Sequence, residues 1–168
     1  MTSKIWYELV NIKYGEKYLS KYISLQKRLK KIFQIITLVV SVSGILGWKY
    51  FEDYAWIAFL LIAFIQVILL IENQLIRSEN EIDDIIELRS LYTKYFNKLE
   101  KLWNDSQTER LSESDSLDLY FTFRETDWES IEILDSKLDV KVYSRLKKKT
   151  EIETLKYLQT YHHNEQAT

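Results

Sequence analysis

Few side chains in this sequence are arranged for covalent chemistry. His162 and His163 stand side by side, without the i, i+4 spacing that sets two imidazoles on one helical face, so no metal site is expected. There is no cysteine, no glycine-rich phosphate loop, no activated nucleophile pattern and no zinc signature. Carboxylates are plentiful, but on helices they usually form solvated faces rather than acid and base pairs. Neither an enzyme nor a cofactor is expected. What remains is binding chemistry. Arg145, Lys147, Lys148 and Lys149 form the only basic cluster of the C-terminal part. They suit a phosphate-bearing regulatory ligand, a solvated face in contact with the acidic middle of the chain, or the inner membrane surface. A second set is polar within apolar surroundings. Gln34, Thr37, Ser41 and Gly44 fall within an arc of about 80° at 100° per residue, and Gln66 is the strongly polar member of a later run.

The elements that must position this stripe are two apolar runs, Ile32–Trp48 and Ala55–Ile71, of 17 residues each. As helices each reaches about 25 Å, slightly under a hydrocarbon core of about 30 Å, and Lys49, Tyr50, Phe51 and Tyr54 suit the interface. The expected fold is an all-α membrane protein built on a two-helix transmembrane hairpin over 32–71. The alternatives are a buried hairpin in a soluble domain and a signal peptide, the latter disfavoured by the distance from Met1. Lys27, Arg28, Lys30 and Lys31 precede the first run, which predicts a cytoplasmic N-terminus, and two spans return the C-terminus to the same side. An antiparallel pair sets Gln66 level with Thr37. The stripe then serves helix association, or lines a polar path in an oligomer.

Charge is segregated around the runs. Met1 to Lys31 holds eight Lys or Arg against Glu8 and Glu16, whereas Ser78 to Asp139 holds seventeen acids against seven bases. General nucleic-acid binding is therefore not expected. With no proline and three glycines, long helices are favoured. Residues 1–31 read as one or two cytoplasmic amphipathic helices, divided at Gly15 if two, with a heptad stripe through Tyr18, Tyr22, Leu25, Leu29 and Ile32. Residues 72–105 read as a long coiled-coil-like helix, opened by a Ser78–Glu81 capping box. Its seam runs through Ile82, Ile85, Arg89, Tyr92, Phe96, Leu99 and Trp103, available to its own chain or to copies in an oligomer.

Residues 106–116 read as a linker, and 117–168 as a mainly helical regulatory tail. Leu117, Leu119, Phe121 and Phe123 alternate as a short strand would, although a lone strand ranks below an irregular or helical segment. Thr126 and Glu129 make another capping-box pattern, and a last amphipathic helix carries Tyr143, Leu146, Ile152, Leu155, Leu158 and Tyr161.

The layout, with the run KRLKKIF at Lys27–Phe33 and the polar RSENEID at Arg77–Asp83, resembles the SLATT family of small bacterial two-span proteins of antiviral defence operons. The resemblance covers Tyr18 to Trp103. It implies an effector held inactive until a signal, often a nucleotide from a partner nucleotidyltransferase, releases it to permeabilise the inner membrane. The leading expectation is thus a homo-oligomeric pore-forming effector, tetrameric by best guess, in contact with the lipid bilayer. The rival is a membrane-anchored adaptor that recruits a cytosolic partner through its acidic helical tail.

Overall fold

Without proline to break them, the helices run long. In the computed structural model, which describes residues 2–50 and 55–161, five follow in order: α1 (Thr2–Tyr50), α2 (Ala55–Leu75), α3 (Glu79–Gln107), α4 (Glu113–Leu138) and α5 (Ser144–Tyr161). His162 and His163 lie outside the described residues, as do the surroundings of residues 42–50 and of several α2 side chains. The chain divides into two units, Met1–Ile23 with Asp83–Thr168, and Ser24–Ile82. The all-α expectation holds. The transmembrane hairpin does not: among the described residues no helix is long and apolar enough to cross a membrane. The runs themselves are 17 residues each, about 25 Å of helix against a hydrocarbon core of about 30 Å, and Glu72 closes the second.

The first unit is organised by α1 and α3. On α1 the buried positions Ile5, Ile12 and Leu19 are seven apart, with Leu9 and Ile23 beside them. This stripe lies one step round from the expected one: Tyr18 and Tyr22 are buried, but Leu25 and Leu29 are half-buried and Ile32 is exposed. Gly15 does not divide α1. The helix passes through it, at a cost of about 1 kcal/mol relative to alanine, because Tyr92 lies against it. A Cβ at Gly15 would stand 2.4 Å from the Tyr92 ring. On α3, Ile85 and Leu99 are fully buried, and Phe96 and Trp103 nearly so. Trp6 meets Trp103 at 5.2 Å between ring centroids, and the Trp6–Trp103 and Gly15–Tyr92 contacts make the two helices antiparallel. The seam is thus occupied within its own chain.

Local signals set where α4 and α5 begin. Ser112 caps α4 by accepting from the Asp115 amide at 3.1 Å while its hydroxyl donates to the Asp115 carboxylate at 2.7 Å, and Glu113 and Asp115 suit the positive end of the helix. The linker shrinks to the turn at 108–112, and 117–124 is helical rather than a strand. Thr126 caps nothing: it lies inside α4 with its hydroxyl donating to the Thr122 carbonyl at 2.9 Å. Asp139 ends α4 in the left-handed region, at φ 40°, and its amide donates to the Asp135 carbonyl. α5 buries Thr150, Thr154 and Leu158 and leaves Ile152 and Leu155 exposed.

Candidate functional site

The second unit holds the sequence-predicted stripe. Its two long helices are pinned near one end by polar contacts. Gln26, almost fully buried, accepts the Arg77 amide on its Oε1 at 3.1 Å. Lys30 pairs with Glu79 at 2.5 Å. Ser78 and Glu81 form the expected capping box, the Ser78 amide donating to Glu81 Oε2 at 2.9 Å and the Glu81 amide to Ser78 Oγ at 3.3 Å. Arg77 adds a 2.7 Å ion pair to Glu81. Arg77 first, then the Ser78 amide, holds the Glu81 carboxyl below its ordinary value, and Lys30 does the same for Glu79.

Counting eleven residues along each helix from the Gln26–Arg77 bond sets Thr37 about level with Gln66. Gln34, Ser41 and Gln66 are exposed and Thr37 is half-buried, its carbonyl accepting from the Ser41 hydroxyl at 2.7 Å. No hydrogen bond joins Gln66 to Thr37 among the described residues. Gly44 lies on the α1 backbone, its surroundings outside the described residues. What surrounds the stripe is more telling. Leu38 of α1 is 64% exposed and Leu70 of α2 is 62% exposed, with Ile35, Val39, Leu60, Phe64 and Val67 each more than half open. Projected at 100° per residue, the exposed apolar positions among the described residues of α2 surround most of the helix, and the covered ones, Ile65 and Ile68, share one side. A helix apolar nearly all round needs apolar surroundings on several sides, more than one docked face supplies.

The first unit contains a polar constellation that the sequence did not disclose. The Glu8 carboxylate accepts from the Tyr95 and Tyr120 hydroxyls, one on each oxygen. Arg124 reaches the Tyr120 hydroxyl at 3.5 Å, and Lys4 lies 5.1 Å over the Tyr120 ring. Burial, followed by the Glu8 carboxylate, pushes both phenols up, so they stay protonated and act as donors. Glu8 thereby ties α1, α3 and α4 together, and its acceptor capacity goes to structure rather than to acid–base work. The available signal was positional, since Glu8 borders the Ile5, Leu9, Ile12 stripe. The partners lie 87 and 112 residues away, beyond the reach of any local pattern. A second tie works through Tyr18, whose hydroxyl donates to the Lys141 carbonyl at 2.8 Å and accepts from the Tyr143 amide at 2.9 Å.

Of the seam, Ile82, Ile85, Phe96, Leu99 and Trp103 are buried, while Arg89 and Tyr92 are half-buried. Burial pushes the Tyr92 phenol up to about 12, with Asp135 adding to it. Arg145, Lys147, Lys148 and Lys149 are all exposed. Among the described residues no cluster of His, Asp or Glu has the arrangement to hold a metal ion. Compared with known protein families, curated proteins and solved structures, the chain matches none. The layout resemblance therefore stands on the sequence alone.

Proposed function

We propose that the protein acts at a lipid bilayer, as a bacterial antiviral defence effector held silent until a signal releases it to disturb the membrane. The observation that carries the lipid contact is the nearly all-round exposure of aliphatic and aromatic side chains on α2, continued by Ile35, Leu38 and Val39 of α1. No helix need cross: an interfacial helix sinks its apolar side about 5–10 Å into the boundary of headgroups and acyl chains. Lys27, Arg28 and Lys31 are exposed next to the α1 face, where they suit the anionic cytoplasmic leaflet of the inner membrane and keep both termini cytoplasmic. The defence role rests on the layout resemblance. The signal, a nucleotide or its nucleotidyltransferase, is received by the first unit, where Arg145, Lys147, Lys148 and Lys149 form an exposed basic cluster.

Flotation of the full chain with vesicles of phosphatidylcholine and phosphatidylglycerol tests the reading. Leu38→Asp combined with Leu70→Asp removes two aliphatic side chains from the proposed lipid face, forfeiting about 1.5–3 kcal/mol of apolar burial each. Binding is expected to fall by more than about tenfold. Equal flotation of this variant sinks the lipid contact.

The acidic exposed face of α4 favours a second reading, an adaptor that holds a cytosolic partner at the membrane. Release of a trapped dye separates the two, because an adaptor leaves vesicles intact. Replacing Thr37, Ser41 and Gln66 with Leu should leave an adaptor working and should reduce release by an effector that uses the stripe.

A further inference from the structure

Two helices of the first unit each turn an ionic face outward, and the two faces have opposite sign. On α5, Arg145, Lys148, Lys149 and Lys156 share an arc of about 120° with Ile152 and Leu155, opposite the buried Thr150, Thr154 and Leu158. No acid falls within that arc. Ile152 is 59% and Leu155 55% exposed. On α4, Glu125, Glu129 and Glu132 share an arc of about 100° with Ile133, opposite the buried Tyr120, Ile131 and Leu138. No base falls within that arc, and Ile133 is 63% exposed. None of these seven charged groups is in an ion pair or a side-chain hydrogen bond among the described residues. Both faces point away from the buried sides of their own helices, and among the described residues no ion pair joins one to the other within the chain.

We infer that the acidic face of α4 in one molecule docks on the basic face of α5 in a second copy of the chain. The α4 face sets Ile133 at the edge of its glutamates and the α5 face sets Ile152 and Leu155 beside its bases, and the charged stretches run about 10 residues on each helix, about 15 Å. A second copy supplies both halves at equal concentration, and the formal net charge of only -2 leaves little repulsion between copies. The contact is heterologous: the two patches differ, so each molecule keeps one free α4 face and one free α5 face, and repetition closes a ring or extends a filament. The inference rests on the first unit alone and is independent of the lipid contact. It also gives a route to self-association after the α3 seam has been taken up inside the chain.

The experiment is a charge swap, read by light scattering of the full chain in a nonionic detergent. Wild type is expected to form species larger than the monomer at about 50 mM salt and to dissociate at about 500 mM, where screening shortens the reach of exposed charges. Glu129→Lys with Glu132→Lys gives two basic faces, and Lys148→Glu, Lys149→Glu and Lys156→Glu together leave Arg145 as the one base of an acidic α5 face. Each set alone should weaken association about tenfold or more, and all five substitutions in one chain should restore it. Because the chain has no native cysteine, Ile133→Cys and Ile152→Cys chains can be mixed, and oxidation should join unlike chains in preference to like ones. A monomer at both salts overturns the proposal. So does assembly that ignores salt and both reversals, which would run through the apolar faces of the second unit. Sensitivity to the α5 reversal without sensitivity to the α4 reversal also overturns it, pointing to an anionic partner outside the chain.

Discussion

At the scale of single residues, Gly15 is the position where one atom decides most. Alanine there gains about 1 kcal/mol of helix propensity but sets its Cβ 2.4 Å from the Tyr92 ring. Overpacking of a filled site costs about 1–3 kcal/mol, so the clash is the larger effect. Gly15→Ala is expected to lower stability by about 1 kcal/mol in thermal melts. In a Tyr92→Leu background the same substitution should be neutral or stabilising, and a loss that persists there would show that the ring is not the cause. The sequence made Gly15 look like a point of division because glycine inside a helix usually marks one. Its use as a seat for a ring 77 positions away depends on how α1 and α3 align, which no local pattern records. The same is true of Glu8, whose position beside a buried stripe was visible and whose two phenol partners were not.

At the scale of elements, the legible parts were those fixed within one turn of chain. The Ser78–Glu81 box formed as read, because each partner finds the other three residues away. The α3 seam was legible because its period matches the helix that carries it. Thr126–Glu129 has equivalent chemistry and failed, since a cap requires a non-helical residue and the chain is already helical from the Ser112 cap onward. The alternation at Leu117–Phe123 failed for a related reason. Within a helix two-residue spacing spreads side chains around the axis, and Leu119 and Phe121 are indeed exposed while Leu117 and Phe123 are half-buried. The transmembrane hairpin of 32–71 failed, since among the described residues no helix is long and apolar enough to cross a membrane.

A pH prediction belongs to the same scale. The Glu81 carboxyl is held below the ordinary 4.5 by Arg77 and by the Ser78 amide. A depressed acid contributes its stability in full above the unfolded value and loses it as pH falls through the folded one. Denaturant melts of wild type and Glu81→Gln should therefore differ at pH 7 by about 0.3–0.5 kcal/mol, the scale of an exposed i, i+4 ion pair, because glutamine keeps the capping box. The two curves should converge as pH falls below the ordinary carboxylate range, where the depressed Glu81 carboxyl at last takes up its proton. A gap that stays constant with pH would mean that the charge of Glu81 contributes nothing.

At the scale of the molecule, the two units carry different kinds of surface. The first presents sorted charge, and the second presents hydrocarbon. Composition averages over both, which is why the whole-chain mean hydropathy of -0.25 describes neither. The two inter-helix connections around α4 also differ in how they are held. The turn at 108–112 is bonded to its own neighbours, Arg110 donating to the Asp105 carbonyl and Ser112 serving the helix that follows. The stretch after Asp139 is held from outside, because the carbonyl of Lys141 is gripped by the Tyr18 hydroxyl. To a protease, these are an open bond and a locked one. Trypsin should cut first after Arg110, whose side chain is 75% exposed, and should spare the Lys141 bond, whose carbonyl it must polarise to attack. Tyr18→Phe removes the grip without removing the ring, and the Lys141–Val142 bond should then become a cleavage site. If Lys141 is cut as fast in wild type as in the variant, the phenol is not what protects it.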